Sequence, residues 1–368
     1  MSVQQAVHAE LPDVTPRTAS PPASPRSQGG RIWAYAFGYF ACYAPYSALT
    51  KLVSEGRAPG MTRAVDGFEL LPITTLVSLA AMLVFLTTMG WWRHASRASI
   101  LGVRVIAPGR WTFLSGLATA AIIASTTLAY TFRGVSIVFM MLLMRGGVLA
   151  IAPVVDAVAG RRVHATSWAA LALSLGGLVI TLGDGASYSL ALAGIVDVVV
   201  YLTAYFVRLR LMSHAAKSDD REASIRYFVE EQMVATPAIV LLLAVLAVVG
   251  HGPLMLSVRA GFDMLRGSGA VTAAVAIGAL SQGTGVFGAL ILLDARENAF
   301  CVPVNRASSV LAGVLASAGL ALAGLARGLP ASELWGAACV LAAIVILATA
   351  HRPHAVARAD GAPAPRPT

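Results

Sequence analysis

Ten long apolar segments constrain this chain more than any other feature of its sequence. Each is near the 20 or so residues that an α-helix needs to cross the hydrocarbon core of a bilayer. They lie near 32–53, 70–92, 111–132, 134–159, 166–183, 190–212, 228–250, 270–293, 298–326 and 333–350. Of all residues 57% are apolar and 12% are charged, whereas a soluble domain has about 25% charged residues. The sequence therefore predicts an all-α integral membrane protein with ten transmembrane helices.

The basic residues predict how these segments are oriented. With the N-terminal tail in the cytoplasm, eighteen Lys and Arg fall on the cytoplasmic side and seven on the other. Cytoplasmic segments of membrane proteins carry such an excess, so we expect both termini in the cytoplasm. The net charge of +9, spread between apolar segments, suits anionic lipid headgroups better than nucleic acid. A bacterial plasma membrane is the expected location, with a eukaryotic endomembrane as the alternative.

The chain divides into two tails and two halves. Residues 1–30 and 352–368 are rich in Pro and Ala and are expected to be disordered cytoplasmic tails. Residues 31–183 and 184–351 each hold five apolar segments. Because five is odd, the second half enters the membrane in the opposite sense to the first, as in many secondary transporters. The sequence thus predicts two inverted five-helix repeats.

Two arginines interrupt apolar segments at matching positions of the two halves. Arg145, in the fourth segment, precedes Gly-Gly-Val-Leu-Ala, and Arg306, in the ninth, precedes Ala-Ser-Ser-Val-Leu-Ala. An arginine at the centre of a membrane helix costs roughly 2.5–3.5 kcal/mol on insertion scales. We therefore expect both to bind an anionic substrate group, since guanidinium matches phosphate or carboxylate. The alternative is a structural role, in which they pair with internal carboxylates or helix-end carbonyls. Asn305 is expected to add a neutral hydrogen bond.

Tyrosines form one face of two further segments. Tyr39 and Tyr43 lie on a face of the first segment, and Tyr201 and Tyr205 lie on a face of the sixth. Such faces either line a polar cavity or pack between helices with their hydroxyls hydrogen-bonded. Under the first interpretation, these four tyrosines belong to the substrate-binding site.

Three acidic residues are candidates for a coupling carboxylate. Glu230 and Glu231 lie near the start of the seventh segment, and Asp197 lies one turn before Tyr201. A carboxylate inside a membrane protein often carries a proton in transport. The alternative is that the glutamates are exposed residues at a helix start, favoured there by the helix dipole. Asp197 would then mark only the start of its own helix.

Several motifs of enzymes are missing from the sequence. It contains no Walker A motif, no HExxH, no Cys/His cluster and no G-x-S-x-G. The three cysteines lie singly in apolar segments and show no metal-ligand spacing. We therefore expect no enzyme activity, no cofactor and no bound metal. The expected partners are a small-molecule substrate and the lipid bilayer, without nucleic acid, and a homodimer is left open.

The two stretches that carry the arginines, 134–183 and 297–347, share one arrangement. In each, a fourth or ninth span is followed by a tight polar turn and a Gly-rich fifth or tenth span. Over roughly 31–351 the chain resembles the drug/metabolite transporter superfamily, which includes EamA-type exporters, nucleotide-sugar transporters and triose-phosphate translocators.

The resemblance also implies roles for individual residues. Sugar-phosphate and nucleotide-sugar carriers of the superfamily hold the substrate phosphate with basic residues on the fourth and ninth helices. One branch carries an Asn-Lys pair on the ninth, and Asn305-Arg306 is similar to it, with Arg145 as the fourth-helix partner. That branch's aromatic-and-asparagine motif for base recognition is missing around 139–141.

The predicted function is secondary active transport of a small anionic metabolite, phosphorylated or carboxylated, by alternating access. One alternative is an EamA-type exporter of amino acids or drug-like metabolites, in which the arginines are structural. Another is a membrane scaffold or lipid-handling protein that transports no solute. Exchange against a second anion and proton-linked export both stay open.

Overall fold

A computed structural model describes most of the chain, and its helices begin and end as follows. The described residues are 25–61, 63–100, 103–132, 135, 137–151, 165–183, 192–215, 221–264, 270–294, 298–326 and 328–350. In that part the helices are α1 (Pro25–Ser54), α2 (Gly67–Thr88), α3 (Arg110–Ala129), α4 (from Ile137), α5 (Ala165–Gly183), α6 (Leu192–Ala215), α7 (Arg221–Val249), α8 (Gly252–Asp263), α9 (Val271–Leu292), α10 (Asn298–Leu322) and α11 (Ala331–Ala350). Helix α4 passes through a π-helical turn at Leu142–Gly146 and continues to Ile151.

Six of these helices are long and apolar enough to cross a membrane. They are α2, α3, α6, α7, α9 and α10, while α4 and α11 provide shorter apolar helices. Many large apolar side chains on them face outward: Val248 is 81% exposed and Leu322 is 91% exposed. Such a surface suits hydrocarbon better than water, so the fold is that of a multi-pass membrane protein.

A described helix lies in each of the ten predicted segments, and residues 152–159 of the fourth lie outside the described residues. The described part has eleven α-helices instead of ten, and three features depart from the prediction. A short antiparallel hairpin, β1 (Arg97–Ile100) with β2 (Val103–Ile106), interrupts the expected all-α pattern. Its β-branched residues favour strands, which a search for long apolar runs overlooks. Helix α8 occupies the expected connection 251–269, and α1 begins inside the tail that was predicted to be disordered.

Helix α8 is fixed to its neighbours by one arginine and one glycine. Arg259 donates from Nε to Ala247 O at 2.7 Å and from Nη2 to Val248 O at 2.9 Å. These are C-terminal carbonyls of α7, which have no partner within their own helix. An added Cβ on Gly261 would lie 2.3 Å from Glu69 O, so α8 approaches α2 at a point where only glycine fits.

The helices of the two halves pack against each other in matching pairs. Helix α1 runs along α9, and α3 runs along α6; likewise α2 packs on α9, and α7 packs on α3. A glycine marks two of these contacts. An added Cβ on Gly116 would lie 2.5 Å from Val234 Cβ, and one on Gly278 would lie 2.6 Å from Thr74 O. Close packing through glycines is common between membrane helices, and it brings the polar faces of α1, α6, α9 and α10 together.

Candidate functional site

Arg145 lies in the π-helical turn of α4, at the centre of the bundle. Its side chain donates hydrogen bonds to the hydroxyls of Tyr43 and Tyr201 and is only 2% exposed. The guanidinium carbon also lies 5.3 Å from the ring centroid of each tyrosine. Single π-helical turns are frequent at functional sites. Nothing in the apolar pattern around Arg145 predicts this turn, so the sequence located the residue but missed the backbone that positions it.

Arg306 lies on α10 and is fully buried beside the same tyrosines. Its Nη1 donates to the hydroxyl of Tyr201 at 3.2 Å, and its guanidinium carbon lies 4.4 Å from the centroid of the Tyr205 ring. Two of its nitrogens, Nε and Nη2, have no hydrogen-bond partner among the described residues. Tyr201 therefore joins the two arginines, one from each half of the chain.

Neither arginine forms an ion pair with a carboxylate in the part of the chain that the structure describes. Their described contacts are tyrosine hydroxyls and aromatic faces, which are neutral groups. Two like charges in a low-dielectric interior are costly unless an opposite charge accompanies them. The Arg145–Arg306 pair, as it stands, has donors and charge to offer an anion.

A layer of tyrosines holds this arginine pair in place. The hydroxyls of Tyr43 and Tyr130 lie 2.6 Å apart, and those of Tyr46 and Thr127 lie 3.0 Å apart. The ring centroids of Tyr39 and Tyr43 are separated by 5.2 Å. Tyr130, at the end of α3, was not among the predicted site residues because it is the only tyrosine of its segment and shows no repeating face.

A cavity of about 80 Å³, lined by both polar and apolar side chains, opens beside Arg145. Its polar and aromatic lining comprises Tyr39, Tyr43, Tyr46, Ser78, Thr119, Thr126, Arg145, Tyr205, Arg208, Gln232, Ser281, Gln282, Thr284 and Asn305. Arg306 and Tyr201 are not part of this lining, so they lie behind it. The volume holds several waters or one small molecule, and a larger ligand would need the helices to separate.

Three carboxamides contribute neutral hydrogen-bonding groups to the cavity. Asn305 donates from Nδ2 to Gly288 O at 3.5 Å, the outer limit of a hydrogen bond. Its Oδ1 and the Nε2 of Gln282 are buried without a partner among the described residues. Gln232 lies on α7 and Gln282 on α9; isolated amides in otherwise apolar segments gave no sequence signal strong enough to predict them. Together these groups can hydrogen-bond a polar ligand.

A second arginine site lies at another part of the same cavity. Arg208 on α6 donates from Nε and Nη2 to the two carboxylate oxygens of Glu231 on α7, at 2.9 and 2.8 Å. Glu231 also accepts from Ser115 at 2.6 Å and from Thr119 at 3.0 Å. Arg208 lies within the predicted segment 190–212, yet the orientation count includes it among the cytoplasmic basic residues. In the structure α6 extends to Ala215, and Arg208 is buried.

The other two candidate carboxylates occupy different surroundings. Glu230 accepts hydrogen bonds from Ser96 N at 3.2 Å, Gly109 N at 3.0 Å and Thr112 Oγ1 at 2.7 Å. It thus fixes the base of the hairpin to α7 and is neither exposed nor at a helix start. Asp197 lies inside α6 rather than at its start, and its buried Oδ2 has no partner among the described residues.

The structure therefore brings Arg145, Arg306, Asn305 and the four predicted tyrosines into one cluster. Glu231 reaches the same cavity through Arg208, while Glu230 faces the hairpin. Among the described residues, no group of three or more His, Cys, Asp or Glu is arranged to hold a metal ion.

Comparison with known proteins finds matches among solved structures. No protein-family model matches the chain, and no curated protein matches it. Thirteen chains of solved structures do match. One of them, described only as the crystal structure of a protein, is 14% identical, covers 88% of this chain and 98% of its own length, and gives a TM-score of 0.49. A likeness of this size supports no statement about family or function.

Proposed function

We propose that this chain is a secondary transporter that moves a small anionic metabolite by alternating access. Its ligand would carry a phosphate or carboxylate group and would bind beside Arg145 in the central cavity. The chain would be a member of the drug/metabolite transporter superfamily, in a bacterial plasma membrane with both termini in the cytoplasm.

One observation carries this proposal: Arg145 and Arg306 are buried side by side without a carboxylate partner among the described residues. A protein that needed them only for stability would be expected to neutralise them, as it neutralises Arg208 with Glu231. An anionic ligand would supply the missing charge, and the buried Nε of Arg145 is a donor without a partner among the described residues. This supports binding of an anion in preference to a neutral or cationic solute.

The lining of the cavity supports a mixed polar ligand. Arg145 would hold the anionic group, while Asn305 and Gln282 would hydrogen-bond hydroxyl or amine groups on the remainder. Arg306 lies behind this surface, so its role would be to strengthen the positive potential and, through Tyr201, to fix Arg145. The tyrosine rings would exclude water around the ligand.

The packing of the helices supports two inverted repeats of five. With α8 left out, α1, α2 and α3 of the first half correspond to α6, α7 and α9 of the second. The α1–α9 contact therefore corresponds to the α6–α3 contact. The α2–α9 contact corresponds to α7–α3 in the same way, and each has a glycine where an added Cβ would clash with the other helix. Such pseudo-symmetry favours a rocking motion around a central site.

The alternative is an EamA-type exporter of amino acids or drug-like metabolites, in which the arginines are structural. The contacts of Arg145 and Arg306 with Tyr43, Tyr201 and Tyr205 favour it, because these satisfy part of their hydrogen-bonding capacity. A scaffold without transport is the remaining alternative.

Solute counterflow into proteoliposomes tests the proposal. Labelled inorganic phosphate, a sugar phosphate and a dicarboxylate would be compared with an amino acid and an organic cation. We expect counterflow of an anion by wild type and by Arg210→Gln, whose side chain is exposed on α6, and its loss in Arg145→Gln. Counterflow of amino acids or cations that is equal in wild type and Arg145→Gln would favour the exporter. The absence of counterflow for every solute tested would favour the scaffold.

A further inference from the structure

Arg208 shares the inward face of α6 with two tyrosines of the central site. Tyr201, Tyr205 and Arg208 are spaced by four and three residues, which places them on one side of a helix. All three are buried, and Tyr205 and Arg208 line the same cavity as Arg145. A ligand that leaves Arg145 along this face passes Tyr205 and then meets Arg208.

The guanidinium of Arg208 is only partly used by its carboxylate partner. Glu231 accepts from Nε and Nη2, and the Nη1 end has no hydrogen-bond partner among the described residues. Arginine has five N–H donors in a planar fork, so a second acceptor can bind at that end without breaking the first pair. Because Arg208 lines the cavity, the acceptor can come from the ligand.

Glu231 is held so that it stays beside Arg208. Ser115 and Thr119 on α3 both donate to its Oε1, and the Ser115 hydroxyl lies 2.6 Å from that of Tyr227. The carboxylate is fully buried and does not line the cavity. Glu231 therefore neutralises Arg208 from the side away from the cavity, through Nε and Nη2. The Nη1 edge of the guanidinium stays open to the cavity.

We propose that Arg208 is a second anion-binding position in this cavity, and that Glu231 weakens it by competing for the same guanidinium. The proposal rests on the proposed function, since it gives the anion bound at Arg145 its next contact. Ligands move through a pore or carrier only if each position binds them weakly enough to release them. Glu231 would keep the affinity of Arg208 for the anion low enough for release. Arg208 lies at the end of the cavity that is expected to face the cytoplasm.

Titration of the purified full chain with inorganic phosphate, followed by calorimetry, tests this. Glu231→Gln removes the competing carboxylate, and Glu231→Asp shortens the side chain that carries it. The Asp variant keeps the negative charge, so it remains informative if Glu231→Gln does not fold. Removing one charge-assisted competitor corresponds to about tenfold in affinity. We expect phosphate affinity to rise by about that factor in Glu231→Gln, by less in Glu231→Asp, and phosphate counterflow to slow in both.

Two matched variants separate a specific site from a general gain of positive charge. Glu230→Gln adds the same charge one residue away, but Glu230 contacts Ser96, Gly109 and Thr112 instead of Arg208, so a clearly smaller gain is expected. Adding Arg208→Gln to Glu231→Gln restores the wild-type net charge and is expected to abolish the gain. Equal gains in Glu230→Gln and Glu231→Gln, or a gain that survives loss of Arg208, would overturn the proposal.

The failure of the central site would look different. If wild type binds phosphate, Arg145→Gln loses it and neither Glu231 variant binds more tightly, Arg208 is a structural residue and the proposed function stands. If wild type fails to bind phosphate but Glu231→Gln binds it through Arg208, the second position stands and the central site fails. If no variant binds phosphate, both proposals fail.

Discussion

Buried arginines lie at two places beside one cavity, and the groups that contact them differ in charge. Arg208 has a carboxylate, Glu231, that meets it at two points and is itself held by Ser115 and Thr119. Arg145 and Arg306 have tyrosine hydroxyls and rings and, among the described residues, no carboxylate. The Arg208–Glu231 pair is electrically neutral, and the Arg145–Arg306 pair carries two positive charges.

This difference separates stability from function. A buried ion pair with all its hydrogen bonds made costs the fold little, and removing one partner is then strongly destabilising. A buried charge without a partner costs stability as it stands, so removing it is expected to help the fold. Local violations of this kind concentrate at functional sites, which is why we propose that the ligand binds at Arg145, with Arg306 behind it.

The largest expected effect is at Glu231. Glu231→Ala leaves Arg208 buried and unpaired, and it should lower the free energy of unfolding by about 3–5 kcal/mol. Denaturant unfolding in lipid nanodiscs measures this change. The double variant Arg208→Met/Glu231→Leu removes both charges, and its free energy of unfolding is expected to be close to that of wild type. If Glu231→Ala is as stable as wild type, Arg208 does not need its carboxylate, and the proposed difference from Arg145 and Arg306 is wrong.

Tyr201→Phe is expected to have the next largest effect. It removes the one hydroxyl that both Arg145 and Arg306 contact, and hydrogen bonds to charged groups contribute about 1.5–3 kcal/mol. Tyr227→Phe, which removes a hydroxyl from the Arg208–Glu231 group, is the matched comparison and should cost less because Ser115 still donates to Glu231. Denaturant unfolding measures both variants. A larger loss of stability in Tyr227→Phe than in Tyr201→Phe would contradict this prediction.

Arg306→Met should change stability in the opposite direction. Without ligand we expect the variant to be more stable than wild type by about 1–2 kcal/mol, since an apolar side chain of similar length replaces an unpaired buried charge. The thermal unfolding midpoint of ligand-free protein measures this. Arg210→Met on the exposed side of α6 controls for the general loss of a positive charge. A destabilised Arg306→Met variant would indicate that the charge is compensated within the protein.

The smallest effect is expected at Thr119. Thr119→Val removes one of the donors to Glu231 while keeping the shape of the side chain, and should cost about 1 kcal/mol. Thr126→Val is the control, because Thr126 donates to Ile122 O within its own helix. Equal costs at the two positions, measured by unfolding, would show that the donors around Glu231 add nothing beyond a helix-internal hydrogen bond.

The sequence predicted a membrane protein built mainly of long apolar helices, because long apolar runs have few alternatives in a bilayer. It also pointed to Arg145 and Arg306, since a charge inside such a run is conspicuous. It placed Tyr43, Tyr201 and Tyr205 in the same predicted site, but it did not predict that they contact the two arginines.

The π-helical turn at Arg145 leaves no mark on the apolar pattern. The Arg208–Glu231 pair joins α6 to α7, and hydropathy does not give the relative positions of two helices. Arg208 lies about one turn before the end of its predicted segment, 190–212, and counts as a cytoplasmic charge, because hydropathy alone does not place a helix end to within one turn.

A ligand-dependent thermal shift tests the central claim, that Arg145 and Arg306 form an anion site, most directly. Wild type and Arg306→Ala would be heated with phosphorylated sugars, dicarboxylates, amino acids and organic cations. A ligand at 100 times its dissociation constant adds about 2.7 kcal/mol of apparent stability. The account predicts that only anions stabilise wild type and that Arg306→Ala loses this response. Stabilisation of both proteins alike by cations or neutral metabolites would contradict it.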